Sequence, residues 1–280
     1  MVTIRLLIDE MKGNKIMELK DKRIVITGAS SGIGLALSKR LIKSGARVVC
    51  VSRNVKAMKK QFGNRAIIIP CDVTDPVQLD AMFKKVENLL GGIDIFIANA
   101  GFGYYGTNGE PDWEKDKNIY LTNVISPIYS LQRLSKGRRE PLIFMVTISA
   151  LGKMVLPGFA LYNSTKFALD AFIRTYRMEK PKNIKLIPVY PVAVKTKFFK
   201  KAGGKETPVP YPRQSIEFVA WCMEMGLKVG ARSVYTSIIF LLRCLISRVF
   251  PIDLFIQGFE RVRFKRWRCK RDKKKEFLMQ

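Results

Sequence analysis

The chain has no histidine, so any proton transfer near neutral pH falls to other side chains. The candidate pair is in the stretch YNSTK, where Tyr162 and Lys166 stand four residues apart. Both types ordinarily titrate at about pH 10. On a helix this spacing puts them on one face. An ammonium beside a phenol favours tyrosinate and depresses the tyrosine pKa. A tyrosine so tuned can give or take a proton in general acid–base catalysis. Alone, the pentapeptide is equally an ordinary helix turn, and the elements around it must decide.

Those elements alternate. Residues 23–28 (RIVITG) form a short β-branched run closed by glycine, which reads as a buried strand. A helical pattern with Leu35, Leu37, Leu41 and Ile42 follows and stops at Gly45. Further strands are expected at 46–53, 65–73, 93–101, 141–149 and 183–192. Helices are expected at 55–63, 77–92, 119–134 (through Pro127) and 162–178. Near-continuous apolar strands alternating with helices imply an α/β fold with a doubly wound parallel sheet of Rossmann type. One domain spans 17–230, with residues 1–16 as an N-terminal extension and 231–280 as a C-terminal helical extension.

The turn after the first strand reads TGASSGIG: Thr27, Gly28, Ser30, Ser31, Gly32, Ile33 and Gly34 among its members. Glycines at these positions allow a tight turn off the strand and close approach of a pyrophosphate. The helix that follows aims its free N–H groups at the anion. Between a first strand and a first helix, this is a dinucleotide cradle.

Several ordered motifs now make the sequence resemble the classical short-chain dehydrogenase/reductase family over about residues 20–200. TGASSGIG matches its cofactor turn, and CDV, with Asp72 and Val73, matches the segment whose aspartate holds the adenine amino group. ANAG, with Asn99, Ala100 and Gly101, resembles the family's NNAG element. Asn123, Ser149, Tyr162 and Lys166 fall where the family places its catalytic tetrad, the serine 13 residues before the tyrosine. The resemblance implies that Tyr162 protonates a carbonyl oxygen as hydride arrives and that Ser149 holds the same oxygen. It also implies that Lys166 grips the nicotinamide ribose and that Asn123 keeps a relay water. Pro191, Val192 and Thr196 would line the nicotinamide. Here the sequence departs from the family's Pro-Gly, since Val192 follows Pro191. Strand two ends VSRN, with Ser52, Arg53 and no carboxylate, which favours NADP(H) over NAD(H).

Composition is globular, with 48% hydrophobic and 26% charged residues. Cys50, Cys71, Cys222, Cys244 and Cys269 are odd in number, scattered and without a CxxC pair. That argues against a disulfide framework or zinc site and for a reducing, cytoplasmic setting. Residues 1–16 hold no uninterrupted apolar run of the signal-peptide kind. The net charge is +27, and residues 261–280 carry ten Lys/Arg against Asp272 and Glu276. A nucleic-acid partner is disfavoured, because no recognition module accompanies the charge.

After Thr196 comes a polar, Gly/Pro-rich substrate loop, about 197–215. An apolar stripe over 238–250 follows (Ile238, Ile239, Leu241, Leu242, Leu245, Ile246, Val249, Phe250). Arg243 and Arg248 interrupt it, so a spanning helix is not expected. Running on into basic residues around Trp267, the segment 238–275 fits peripheral contact with an anionic membrane. The other reading is a helix packed on the domain or on a second subunit. Membrane contact would go with a lipophilic substrate such as a keto-lipid, sterol or retinoid-like carbonyl. The leading expectation is an NADP(H)-dependent oxidoreductase interconverting a carbonyl and an alcohol, as a homodimer or homotetramer by resemblance. The alternatives are a non-catalytic dinucleotide sensor of the same fold, or a nucleic-acid- or membrane-binding protein using the basic tail.

Overall fold

The computed structural model of the chain describes residues 16–106, 111–196, 198–203, 213–247, 250 and 252–279. The expected N-terminal extension therefore lies almost wholly outside the described residues, as does most of the substrate loop. Seven strands form one sheet: β1 (Arg23–Thr27), β2 (Arg47–Val51), β3 (Ile67–Ile69), β4 (Ile95–Ala98), β5 (Leu142–Thr147), β6 (Ile184–Tyr190) and β7 (Val234–Tyr235). Their order is β3-β2-β1-β4-β5-β6-β7, and every pairing is parallel. This is the doubly wound α/β fold expected from the alternation. The chain winds outward from β1 to β3, then crosses back to lay β4 on the other side of β1.

Side-chain alternation explains the two covering layers. Val25, Val49, Phe96, Phe144 and Leu186 point to one face. There they meet α3 (Pro76–Leu90), α5 (Ser126–Ser135) and α6 (Ala160–Glu179) through Phe83, Leu131 and Leu169. Ile24, Ile26, Cys50, Ile97 and Ile187 point to the other. They pack on α1 (Gly32–Lys43), α2 (Val55–Phe62) and α8 (Ile216–Lys228) through Leu37, Met58 and Met223. Helix α3 shows why these segments are helical. Asp75 caps it by accepting from the Val77 and Gln78 amides, Pro76 opens it, and Gly91 closes it in the left-handed conformation.

Three elements differ from expectation. Strand β3 keeps only three of the nine residues in its apolar run. The helix expected over 119–134 is three pieces: α4 (Trp113–Tyr120), a π turn (Leu121–Ile125) and α5. Pro127 supplies the reason, because it has no N–H to give the Asn123 carbonyl four residues back. The Ser126 amide instead reaches five residues back, to the Leu121 carbonyl. The seventh strand was invisible to periodicity, being two residues long.

Beyond Thr196 the chain forms α7 (Phe198–Gly203), α9 (Ile238–Ile246) and α10 (Ile252–Met279). In α9 the buried residue is Phe240, while Ile239, Leu242, Leu245 and Ile246 face outward. The apolar stripe is therefore mostly exposed.

Helices α1 and α8 are tied by a buried carboxylate. Glu224 accepts from Arg40 Nε at 2.6 Å, Ser44 Oγ at 2.8 Å and Lys228 Nζ at 2.8 Å. Burial raises its pKa, but these donors overcome that and hold it below the usual glutamate value. A depressed acid adds stability above its unfolded pKa and loses it as pH falls through the folded one. Glu224→Gln is expected to cost about 1–3 kcal/mol at pH 7. In urea melts the difference should shrink as pH drops below the carboxylate range.

Candidate active site

The carboxyl ends of β1, β4, β5 and β6 meet at one edge of the sheet, where the strand order reverses between β1 and β4. Thr27 ends β1 and stitches this edge together. Its Oγ1 accepts from the Asn99 and Ala100 amides at 3.1 Å each, and its carbonyl accepts from Asn99 Nδ2 at 3.2 Å. Thr147 Oγ1 at the end of β5 donates to Asn99 Oδ1 at 3.2 Å. Thr27 and the Asn99 side chain thus fix the strand ends.

The glycine turn lies against that stitched edge. Gly28 adopts φ +70°, and a Cβ there would sit 2.9 Å from Ala100 Cα. A Cβ on Gly34 would overlap the Gly28 carbonyl and stand 2.6 Å from Asn99 Nδ2. Only glycine fits either position. Gly32, at φ +54°, faces Thr196 Cγ2, 3.5 Å from where its Cβ would be. Ile33 packs partly against the core beneath. Ser31 precedes α1 in extended conformation and makes no side-chain cap, leaving the first-turn amides of α1 to another acceptor. These features fit a dinucleotide pyrophosphate.

At the end of β2, Ser52 Oγ donates to Ser30 Oγ at 2.8 Å. Arg53, 78% exposed, reaches Asp72 Oδ2 at 3.4 Å. The two residues assigned to opposite ends of an adenosine are therefore an ion pair. Burial raises the Asp72 pKa, but hydrogen bonds from Thr74 and the Arg53 charge bring it below the usual aspartate value. Val73 turns into the core.

The expected tetrad converges from three elements. Tyr162 and Lys166 lie on the sheet-facing side of α6 with Leu169 and Ile173, and all four are buried. Lys166 Nζ donates to the Thr147 carbonyl at 3.1 Å and sits 5.6 Å from the centre of the Tyr162 ring. Gly101 brings the chain after β4 against both Lys166 and Asn123. A Cβ there would be 3.5 Å from Lys166 Nζ and 3.2 Å from Asn123 Oδ1. Asn123, in the π turn, spends its amide on structure. It accepts from the Phe102 amide at 3.1 Å and donates to the Phe102 carbonyl at 2.8 Å and to Thr165 Oγ1 at 3.1 Å. Ser149 follows β5 at φ 141°, a backbone region that costs a non-glycine residue energy. Its Oγ accepts from the Leu151 amide at 3.1 Å, and its hydroxyl acts on Tyr162 to lower the pKa of the phenol.

Asn163 restrains the segment carrying Ser149. It donates to the Leu151 and Met154 carbonyls at 2.9 and 2.8 Å and accepts from the Leu156 amide at 3.3 Å. The Pro191 carbonyl takes the Ala150 amide at 2.8 Å, and Val192 packs against the core.

The electrostatics correct one expectation. Lys166 was expected to depress the Tyr162 pKa. Burial instead pushes Tyr162 up to about 12, and the Ser149 hydrogen bond offsets this only in part. Burial also brings Lys166 down to about 7. Burial thus favours the neutral form of both side chains.

One feature escaped the sequence reading. Tyr162 is walled by aromatic rings, Phe198 at 5.2 Å and Phe159 at 6.2 Å between centroids. Tyr105 packs on Phe159 at 4.8 Å and on Trp267 of α10 at 4.7 Å, with Phe264 stacked beside Trp267 at 5.5 Å. Gly103 leaves room, since a Cβ there would come 3.0 Å from the Tyr162 ring. The available signal was the aromatic excess of FGYYG and FF, together with Phe264 and Trp267 three apart.

Comparison with known proteins identifies the family. Residues 22–207 match the family model described as short chain dehydrogenase. An uncharacterized oxidoreductase of Listeria monocytogenes is 30% identical over 203 residues, covering 68% of this chain and 82% of that protein. A fatty acyl-CoA reductase of Acinetobacter baylyi is 30% identical over 219 residues, covering 73% and 74%. A short-chain dehydrogenase/reductase crystal structure from Burkholderia phymatum, in complex with NAD, has the same fold. Its TM-score is 0.74 at 18% identity, over 86% of this chain and 97% of that one.

The buried lysine yields a stability prediction. A lysine whose folded pKa is about 7 binds fewer protons folded than unfolded between there and its ordinary value of 10.5. Its burial penalty is full below pH 7 and fades as pH rises. Lys166→Met is expected to stabilise the fold by about 1–3 kcal/mol at pH 6. The gain should be smaller at pH 9, as read from paired thermal or urea melts.

Proposed function

The chain belongs to the short-chain dehydrogenase family, and on that footing we propose that it is an NADP(H)-dependent oxidoreductase. It interconverts an apolar ketone or aldehyde and the corresponding alcohol. The observation that carries this reading is Tyr162: a buried phenol that shares a helix face with Lys166 and packs against the rings of Phe159 and Phe198. The bound nicotinamide would supply or accept the hydride.

Thr27 to Gly34 and the first amides of α1 hold the pyrophosphate, and Asp72 receives the adenine. Gly101, Pro191, Val192 and Thr196 border the nicotinamide end, where Lys166 Nζ holds ribose hydroxyls. Tyr162 and Ser149 both direct their hydroxyls at the substrate carbonyl oxygen. Tyr162 Oη gives up its proton there as negative charge develops, and Ser149 Oγ stabilises the same oxygen. A high Tyr162 pKa favours the protonated form that reduction needs. The Lys166 ammonium then offsets the phenolate left behind. The Asn123 amide is occupied by Phe102 and Thr165, so its part in a proton relay falls to its backbone carbonyl, which Pro127 cannot engage.

NADP(H) is favoured by the end of β2, where Arg53 and the Ser30–Ser52 hydroxyl pair stand without a carboxylate on that turn. An exposed guanidinium and two hydroxyls suit a ribose 2′-phosphate. The apolar substrate is supported by the rings of Phe159 and Phe198 against Tyr162, with Tyr105 packed on Phe159 and Phe264 and Trp267 packed on Tyr105.

Tyr162→Phe is expected to lower kcat by about 10³-fold. Titration of protein fluorescence should find NADPH affinity within about threefold of the parent. Retained turnover would reject Tyr162 as the acid. Arg53→Ala should lower kcat/KM with NADPH by about 10- to 100-fold and leave NADH nearly unaffected. An unmodified chain that prefers NADH overturns the cofactor choice.

A further inference from the structure

The two C-terminal helices leave apolar and cationic surface that neither the fold nor the proposed chemistry uses. In α9, Phe240 turns inward against Tyr235 and Arg243 Nη1 contacts Met154 Sδ at 3.2 Å. Outward, Ile239 is 70% exposed and Leu242, Leu245 and Ile246 are each more than 40% exposed. Ile239, Leu242 and Ile246 fall at i, i+3 and i+7, a single strip of the helix. Phe250 just beyond is 63% exposed.

Helix α10 divides the same way. Glu260, Phe264 and Trp267, at i, i+4 and i+7, turn toward the domain, and the two rings pack around Tyr105. Phe259 is 80% exposed on the other side, near exposed Val262, Arg261, Lys265 and Arg266.

We propose that α9 and α10 form a docking surface for an anionic lipid bilayer. Among the described residues no helix is long and apolar enough to cross a membrane. Aliphatic and aromatic groups interleaved with cations are instead what a helix lying in the headgroup region presents. Charge decides between occupants. A second copy of the chain would set like cations against like across a twofold axis, in a protein of net charge +27. A nucleic acid would use the cations and leave Ile239, Leu242 and Phe259 without a partner. An anionic bilayer satisfies both sets.

The surface also lies beside the aromatic wall. Helix α9 touches the segment after Ser149 at Met154. Phe264 of α10 abuts Gly158 on the same segment, 2.9 Å from where a Cβ would be. Docking there brings lipid beside the aromatic cluster that packs on Tyr162. This consequence rests on the apolar-substrate reading, whereas the docking does not.

The test is sedimentation of the full chain with phosphatidylcholine vesicles, with and without phosphatidylglycerol. Binding should be about tenfold tighter to the anionic vesicles. The double variant Leu242→Ser with Leu245→Ser should lose about tenfold of it, with unchanged Tm and unchanged NADPH-dependent turnover of a water-soluble ketone. No pelleting with either vesicle overturns the proposal. So does undiminished binding by the double variant, which would leave charge alone as the cause, or a concentration-dependent dimer abolished by that variant without vesicle binding. Vesicle binding without turnover on any ketone would overturn the enzymatic reading and leave the docking surface standing.

Discussion

The site depends on keeping an amine and a phenol dry, side by side. Lys166 and Tyr162 are both buried, and burial drives each toward its neutral form. Holding an ionisable pair in such a place opposes folding, so something must hold it there. The answer lies in one stripe of α6. Tyr162, Lys166, Leu169 and Ile173 follow each other at helical spacing, and the last two are packed in the sheet core. Burial of these side chains sets the height and rotation of the helix, and so places the phenol and amine. The Thr147 carbonyl accepts a hydrogen bond from the amine, and Asn163 fixes the segment that carries Ser149. Chemistry and packing share a helix face, which explains how a site without histidine can be positioned so closely.

The cofactor cradle follows from a different constraint, closeness of backbone to backbone. Gly34 lies against the Gly28 carbonyl and Asn99, and Gly28 lies against Ala100. Thr27 and Asn99 lock the ends of β1, β4 and β5, so the turn has a rigid floor. A helix that starts without a side-chain cap above such a floor offers its amides outward.

Local patterns were legible in the sequence, and contacts between distant segments were not. Six strands, the helices around them, the glycine turn and the spacing of Ser149, Tyr162 and Lys166 could be read directly, because each is carried by neighbours in the chain. The π turn at 121–125 could be anticipated only by asking which carbonyl Pro127 leaves without a donor. Strand β7 is two residues long and exists because β6 offers it an edge. The Arg53–Asp72 pair joins the ends of two strands. The rise in the Tyr162 pKa comes from burial, which spacing does not reveal; the lysine charge, which spacing does reveal, pulled the expectation the wrong way.

Part of the aromatic wall lies outside the residues that match the family model. The family match ends at residue 207, yet Phe264 and Trp267 lie well beyond it and pack on Tyr105. Asn123, Ser149, Tyr162 and Lys166 therefore lie within the matched region, while two rings of the aromatic cluster lie outside it. Packing α10 on the domain and presenting its other side to a partner are not competing readings. Glu260, Phe264 and Trp267 occupy one side, and Phe259, Val262 and the exposed cations the other. The same helix can pack on the aromatic cluster and face a surface, because a helix of this length has two sides.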